Sequence, residues 1–75
     1  MNFNETRREL GAGIKEWRTR RRLTQDELAA AAGIHVNSFG RVERGKTNPT
    51  LKVLWKIARK LDVTVVQLFL GPARE

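Results

Sequence analysis

The side chains best suited to recognition chemistry in this chain fall between residues 36 and 44, which read Val-Asn-Ser-Phe-Gly-Arg-Val-Glu-Arg. Asn37 and Arg41 stand four positions apart, and on a helix that spacing puts both on one face. The Asn amide pairs a donor with an acceptor and matches N6 and N7 of adenine; the Arg fork matches O6 and N7 of guanine. Gly40 and Arg44 share that flank. Phe39 and Val42 take the opposite flank at i, i+3 spacing and can be hidden. A polar helical flank is by default a solvated surface, so this one reads bases only if the rest of the chain holds it outward.

The elements that must hold it are marked by capping signals. Thr24-Gln25-Asp26-Glu27 is a Thr-x-x-Glu capping box, followed by Leu28 and four alanines, and Gly33 stops the run. Residues 24–45 therefore predict two short helices joined by a tight glycine turn. Upstream, Thr6 and Glu9 form another capping box, and Leu10, Ile14 and Trp17 follow at i, i+4, i+7, predicting a helix over about residues 6–21. Gly11 and Gly13 weaken it by roughly 0.5–1 kcal/mol each relative to alanine, a loss that packing must offset. After the polar turn Lys46-Thr47-Asn48-Pro49, Thr50 caps a helix whose Leu51, Leu54, Ile57, Ala58 and Leu61 form a stripe wide enough to be buried. Thr64 and Gln67 open a short fifth helix that ends at Gly71-Pro72. The last few residues are expected to fray. The one β-branched cluster, residues 63–66, is short and its capping signals favour helix. The expectation is an all-α fold of five helices, with residues 1–75 forming a single domain.

At 75 residues, a domain buries only about 60–65% of the surface its unfolded chain exposes, so a partner subunit would help it. Three phenylalanines, two tryptophans and a 40% hydrophobic share suffice for a small core and argue against general disorder. The two tryptophans read as packing residues, because a stacking platform for single strands needs more exposed rings. A net charge of +7 exceeds what solubility needs and implies an anionic partner, with nucleic acid the first candidate. The chain has no cysteine, which excludes a disulfide framework and a thiolate zinc site and is compatible with a reducing cytoplasm. A lone histidine, His35, builds no metal site. The first residues lack the layout of a signal peptide, and no apolar run approaches the roughly 18 residues of a membrane span. A basic membrane-surface binder fits poorly too, since the charge is spread over several predicted helices.

The motifs Leu23-Thr24-Gln25-Asp26-Glu27-Leu28-Ala29, Gly33-Ile34, Arg41-Val42-Glu43-Arg44-Gly45, Pro49-Thr50-Leu51 and Leu54-Trp55-Lys56-Ile57-Ala58 resemble the Cro and phage-repressor type of helix-turn-helix domain. The resemblance covers about residues 10–70 and extends to restriction–modification controller proteins of similar size. It implies a DNA-binding fold whose third helix enters the major groove of double-stranded DNA. On that footing Arg41 and Asn37 are expected to contact bases, Val36 to meet a thymine methyl, and Ser38 to touch a base or phosphate. Gln25 resembles the family glutamine that grips a phosphate at the start of helix 2, and Lys46 and Thr47 resemble its second phosphate clamp. Arg44 joins the phosphate set. Arg20, Arg21, Arg22 and Lys52 are basic residues near helix ends on the same side, of which Arg22 and Lys52 are assigned to phosphates. Two positions depart from the family pattern. His35 stands where Ser, Thr or Asp usually caps the third helix, a poorer cap but a candidate phosphate contact, and Gly40 replaces a larger residue and lets backbone approach DNA. In the family, residues matching Arg18 and Glu43 form an ion pair that ties helix 1 to the end of helix 3.

Val65, Val66, Leu68, Phe69 and Leu70 are nearly consecutive, more apolar surface than so short a chain readily hides. They mark residues 62–71 as a dimerisation region. A symmetric homodimer would cover them and set two reading helices about 34 Å apart, one turn of DNA. No nucleophile–base pair, metal cluster or phosphate-binding glycine loop accompanies these features, so an enzyme is not expected, nor any cofactor. The reading is a cytoplasmic, sequence-specific transcriptional regulator, acting as a homodimer on a palindromic operator, of which a restriction–modification controller is one form. The alternative is an antitoxin or other protein-interaction module that autoregulates through DNA.

Overall fold

The computed structural model describes residues 1–72. Five helices follow one another: α1 Phe3–Arg20, α2 Gln25–Ala32, α3 Val36–Glu43, α4 Leu51–Leu61 and α5 Val65–Leu70. Among the described residues there is no strand. The expected fraying of the last residues lies outside the described residues. Capping boxes start α2 at Thr24 and α5 at Thr64, and the Thr50 hydroxyl accepts the Val53 N–H at the start of α4. The Thr24 backbone N–H, donated to Glu27, and the Thr24 hydroxyl together hold the Glu27 carboxyl below the usual glutamate range.

Helix α1 starts earlier than Thr6. Asn2 is its cap, with Asn2 Oδ1 accepting the Glu5 N–H at 2.8 Å and Glu5 answering the Asn2 N–H. The chain thus holds two capping boxes in succession, and the upstream one prevails. Nothing between them ends a helix, and the Thr6 N–H and hydroxyl both bond the Asn2 carbonyl, adding a turn.

All five helices contribute to one core, in which Ile14, Leu28, Phe39, Ile57, Leu61 and Leu68 are fully buried. Helix α4 docks on α2 and α5, and α1 docks on α3 and α5. Two expectations change here. Leu51 is 72% exposed, because the α4 stripe outruns its neighbours at the first turn, and the partly buried Val53 packs on the core instead. Leu68 is absent from the molecular surface. Docking of α5 against α1 turns it wholly inward, while Val65 packs half-buried beside it, so neither is the exposed dimer residue expected of it.

The glycines of α1 make that docking possible. A Cβ on Gly11 would overlap the carbonyl of Glu43 in α3, and one on Gly13 would overlap the carbonyl of Leu68 in α5. The Trp17 indole N–H donates to the Gln67 carbonyl at 2.7 Å and bolts the same two helices together. Gly13→Ala is therefore expected to lower stability by about 1–3 kcal/mol, although alanine is the better helix former by roughly 1 kcal/mol. Urea denaturation measures it; an unchanged or raised midpoint would show that α1 and α5 do not meet there.

Candidate nucleic-acid interface

Helix α3 is aimed by a buried polar knot at its C-terminal end. Arg18 of α1 donates to Glu43 twice, from Nε to Oε2 at 2.7 Å and from Nη2 to Oε1 at 3.3 Å. Its remaining Nη1 donates to the Leu23 carbonyl at 3.0 Å. Gln25, the first residue of α2, donates from Nε2 to Glu43 Oε1 at 2.9 Å. The side chains of Arg18 and Glu43 are only 15% and 3% exposed, so this bidentate pair is shielded from water and from salt. Three elements meet at one carboxylate. With Phe39 and Val42 buried on the same side, α3 has a single way to face.

The flank left outside carries Asn37, Ser38, Arg41 and Arg44, all exposed. Val36 differs, being partly buried against the core with only part of its side chain outward. The start of α3 is closed by His35, whose Nδ1 accepts the Asn37 N–H at 3.0 Å. Acceptance at Nδ1 requires the neutral ring with its proton on Nε2, which remains a free donor. A histidine cap is thus made, a local fact that the weak cap preference of the residue type concealed. At the other end the Gly45 N–H bonds the Val42 carbonyl at 3.0 Å and the Lys46 N–H bonds the Arg41 carbonyl at 2.9 Å. These bonds tie the turn bearing Lys46 and Thr47 to the reading flank.

Several expected contacts acquire a definite setting. Gln25 spends one amide hydrogen on Glu43, and among the described residues the second has no partner. Gly40 is not bare backbone, since the Arg44 guanidinium lies over it, with Nη1 3.1 Å from where a Cβ would stand. Arg22, Lys46 and Lys52 are exposed, and Thr47 is partly buried. Arg21 leaves the basic run for a structural task. Its guanidinium stacks 5.0 Å from the Trp17 ring centroid and its Nε donates to the Leu61 carbonyl at 2.9 Å, at the end of α4. Sequence spacing carries no sign of that bond, which joins residues 40 positions apart.

Among the described residues Arg18–Glu43 is the one salt bridge, so no carboxylate lies within 4.0 Å of the cations around α3. Their charge is free to act outward, and counterions held there would be released to a polyanion. Among the described residues there is also no cluster of three acidic or histidine side chains that could hold a metal ion, and no helix long and apolar enough to cross a membrane.

Known proteins resemble the chain through this region. The helix-turn-helix family pattern matches residues 14–68, which takes in both the polar knot and the exposed flank of α3. An uncharacterised HTH-type transcriptional regulator of Archaeoglobus fulgidus is 39% identical over 62 residues, 83% of this chain and 87% of that one. Control protein C.SmaI of Serratia marcescens is 32% identical over 66 residues, 88% of this chain and 79% of that one. Among solved structures, the restriction-modification controller protein C.AhdI of Aeromonas hydrophila superposes with a TM-score of 0.79 at 35% identity, covering 83% of this chain and 94% of that one. The clp gene regulator ClgR of Corynebacterium glutamicum superposes at 0.83 with 25% identity, covering 87% and 69%.

The polar knot makes a testable claim about stability. Arg18→Met strands the Glu43 carboxylate in a buried site and should cost about 3–5 kcal/mol. Lys52→Met, at an exposed position, should stay within about 0.5 kcal/mol of the parent. Equal melting temperatures for the two variants would mean that the pair contributes no more than a solvated one.

Proposed function

The chain belongs to the helix-turn-helix family of transcriptional regulators, and from that premise we propose that it reads a palindromic operator in the major groove as a homodimer. The observation that carries the reading is the exposed flank of α3. Asn37 and Arg41 are presented together on a helix braced from behind by a buried, bidentate ion pair. In the proposed complex Arg41 pairs with a guanine and Asn37 with an adenine, Ser38 adds a base or phosphate contact, and the outward part of Val36 meets a thymine methyl. Gln25, His35 Nε2–H, Arg22, Arg44, Lys46, Thr47 and Lys52 hold phosphates and set the register.

The homodimer rests on the apolar side chains that α5 leaves uncovered. Val66 and Leu70, one turn apart on α5, are 67% and 76% exposed, and Phe69 beside them is 38% exposed. Trp55 of α4, half exposed, lines a groove of about 420 Å³ together with Val63 and Val65. A second copy packed on α5 removes these groups from water at about 25 cal/mol per Å² of apolar area. Two linked half-sites then raise weak individual recognition to useful affinity, because the second contact becomes effectively intramolecular. The likeness to C.SmaI and C.AhdI over most of their lengths favours a controller of restriction–modification genes, acting in the cytoplasm.

Two expected outcomes follow from this assignment. Arg41→Ala should lose about 1–3 kcal/mol of discrimination at one position of each half-site, whereas Lys46→Ala should weaken binding to operator and scrambled duplex alike. Titrations of both duplexes measure it, and an equal loss on both for Arg41→Ala would remove that residue from the reading face. Leu70→Glu, chosen because the side chain is exposed in the single chain, should shift the protein toward monomer in sedimentation equilibrium and weaken the full palindrome more than a half-site. A parent protein that is monomeric and binds a half-site as tightly as the palindrome overturns the dimer.

A further inference from the structure

The early start of α1 brings its first turns to the edge of the proposed interface. Gly45 sits in the turn after α3 with φ +69°, between Arg44 and Lys46. A Cβ there would stand 2.9 Å from both Cα and Cγ of Arg8 and 3.0 Å from its backbone nitrogen. The second turn of α1 therefore lies directly against this turn, and the Arg8 side chain sets out from it. The close approach continues about one turn further on, where a Cβ on Gly11 would overlap the Glu43 carbonyl oxygen.

Two other α1 arginines, Arg7 and Arg18, have partners within the protein. Arg7 stacks 5.0 Å from the Phe3 ring centroid and donates from Nη2 to Asn4, and Arg18 is committed to Glu43. Arg8 is exposed, and among the described residues it has no carboxylate within 4.0 Å, no aromatic ring under its guanidinium and no side-chain hydrogen bond. An exposed arginine whose Cα and Cγ lie against Gly45, the residue between Arg44 and Lys46, is placed to reach the acceptor those two residues are assigned, a backbone phosphate. Arg serves it well, since its fork can engage two phosphate oxygens at once.

We propose that Arg8 is an additional phosphate contact, extending the clamp of Lys46 and Thr47 to the DNA backbone from helix α1. The proposal rests on the DNA-binding reading above. It makes α1 a direct participant in docking as well as the brace of α3, and it carries no base preference.

Fluorescence anisotropy on operator and scrambled duplexes across a salt series tests it, using the parent protein, R8Q, R8K, K46Q and, as a distant surface control, K60Q. R8Q is expected to weaken both duplexes about fivefold or more and to reduce the slope of log K against log salt by about 1.8, since each subunit of the dimer loses one phosphate contact, with an unchanged melting temperature. R8K should keep most of the slope, and K60Q should match the parent. If K46Q lowers the slope and R8Q does not, Arg8 is a solvated side chain and the DNA-binding reading stands without it. Absence of salt-dependent binding by the parent protein to any duplex overturns both.

Discussion

The geometry of the recognition surface depends on one desolvated carboxylate. Glu43 ends α3, and burial would make its charge untenable without compensation. Arg18 compensates it from α1 in bidentate fashion, and Gln25 adds a third hydrogen bond from the first turn of α2. Each bond comes from a different direction, so the carboxylate is satisfied only when α1, α2 and α3 stand in one arrangement. A well-packed apolar trio could serve stability as well, for buried ion pairs are often matched by hydrophobic replacements. What the polar knot adds is direction, since hydrogen bonds have preferred angles and apolar contacts do not. The proposed reading of bases by α3 requires such direction.

The basic residues divide according to the same logic. Arg18, Arg21 and Arg7 are held inside the molecule's own contacts, by a carboxylate, by a carbonyl and an indole face, and by a phenyl ring and an amide. Arg18 and Arg21 position helices against one another, while the partners of Arg7 lie within α1 itself. Arg22, Arg41, Arg44, Lys46 and Lys52 are exposed without a neighbouring carboxylate among the described residues and carry the outward field. The net charge alone does not separate these groups. Gln25 directs one amide hydrogen into the brace and has one left over, so the phosphate contact proposed at α2 and the orientation of α3 would meet in a single side chain.

Small size sets the second constraint. In so short a chain the helices must approach closely to exclude water, and Gly11 and Gly13 let α1 meet the backbones of α3 and α5. Their intrinsic cost to α1 is accepted because contact at those points closes the core. That same docking buries Leu68 and leaves Val66, Phe69 and Leu70 outside, so the apolar run of α5 is shared between the interior of one chain and a surface suited to a second.

The sequence by itself determined what neighbouring residues settle among themselves. The five helices, the Thr24, Thr50 and Thr64 caps, the glycine stop after α2 and the pairing of Asn37 with Arg41 on one flank all arise from contacts within about four positions, where hydrogen-bond and side-chain periodicity are local. The start of α1 departs from the expectation at Thr6, because the Asn2 cap four residues upstream takes precedence. The ion pair of Arg18 with Glu43 was reachable only through resemblance to a family, since 25 residues separate its partners. Tertiary structure alone decided that Gln25 joins that pair, that Arg21 turns to the end of α4, that Leu51 stays outside and Leu68 goes in, and that Arg8 meets Gly45. Each of those outcomes depends on how helices dock, and docking is set by the summed shape of all the packed faces, which no local pattern of residues contains.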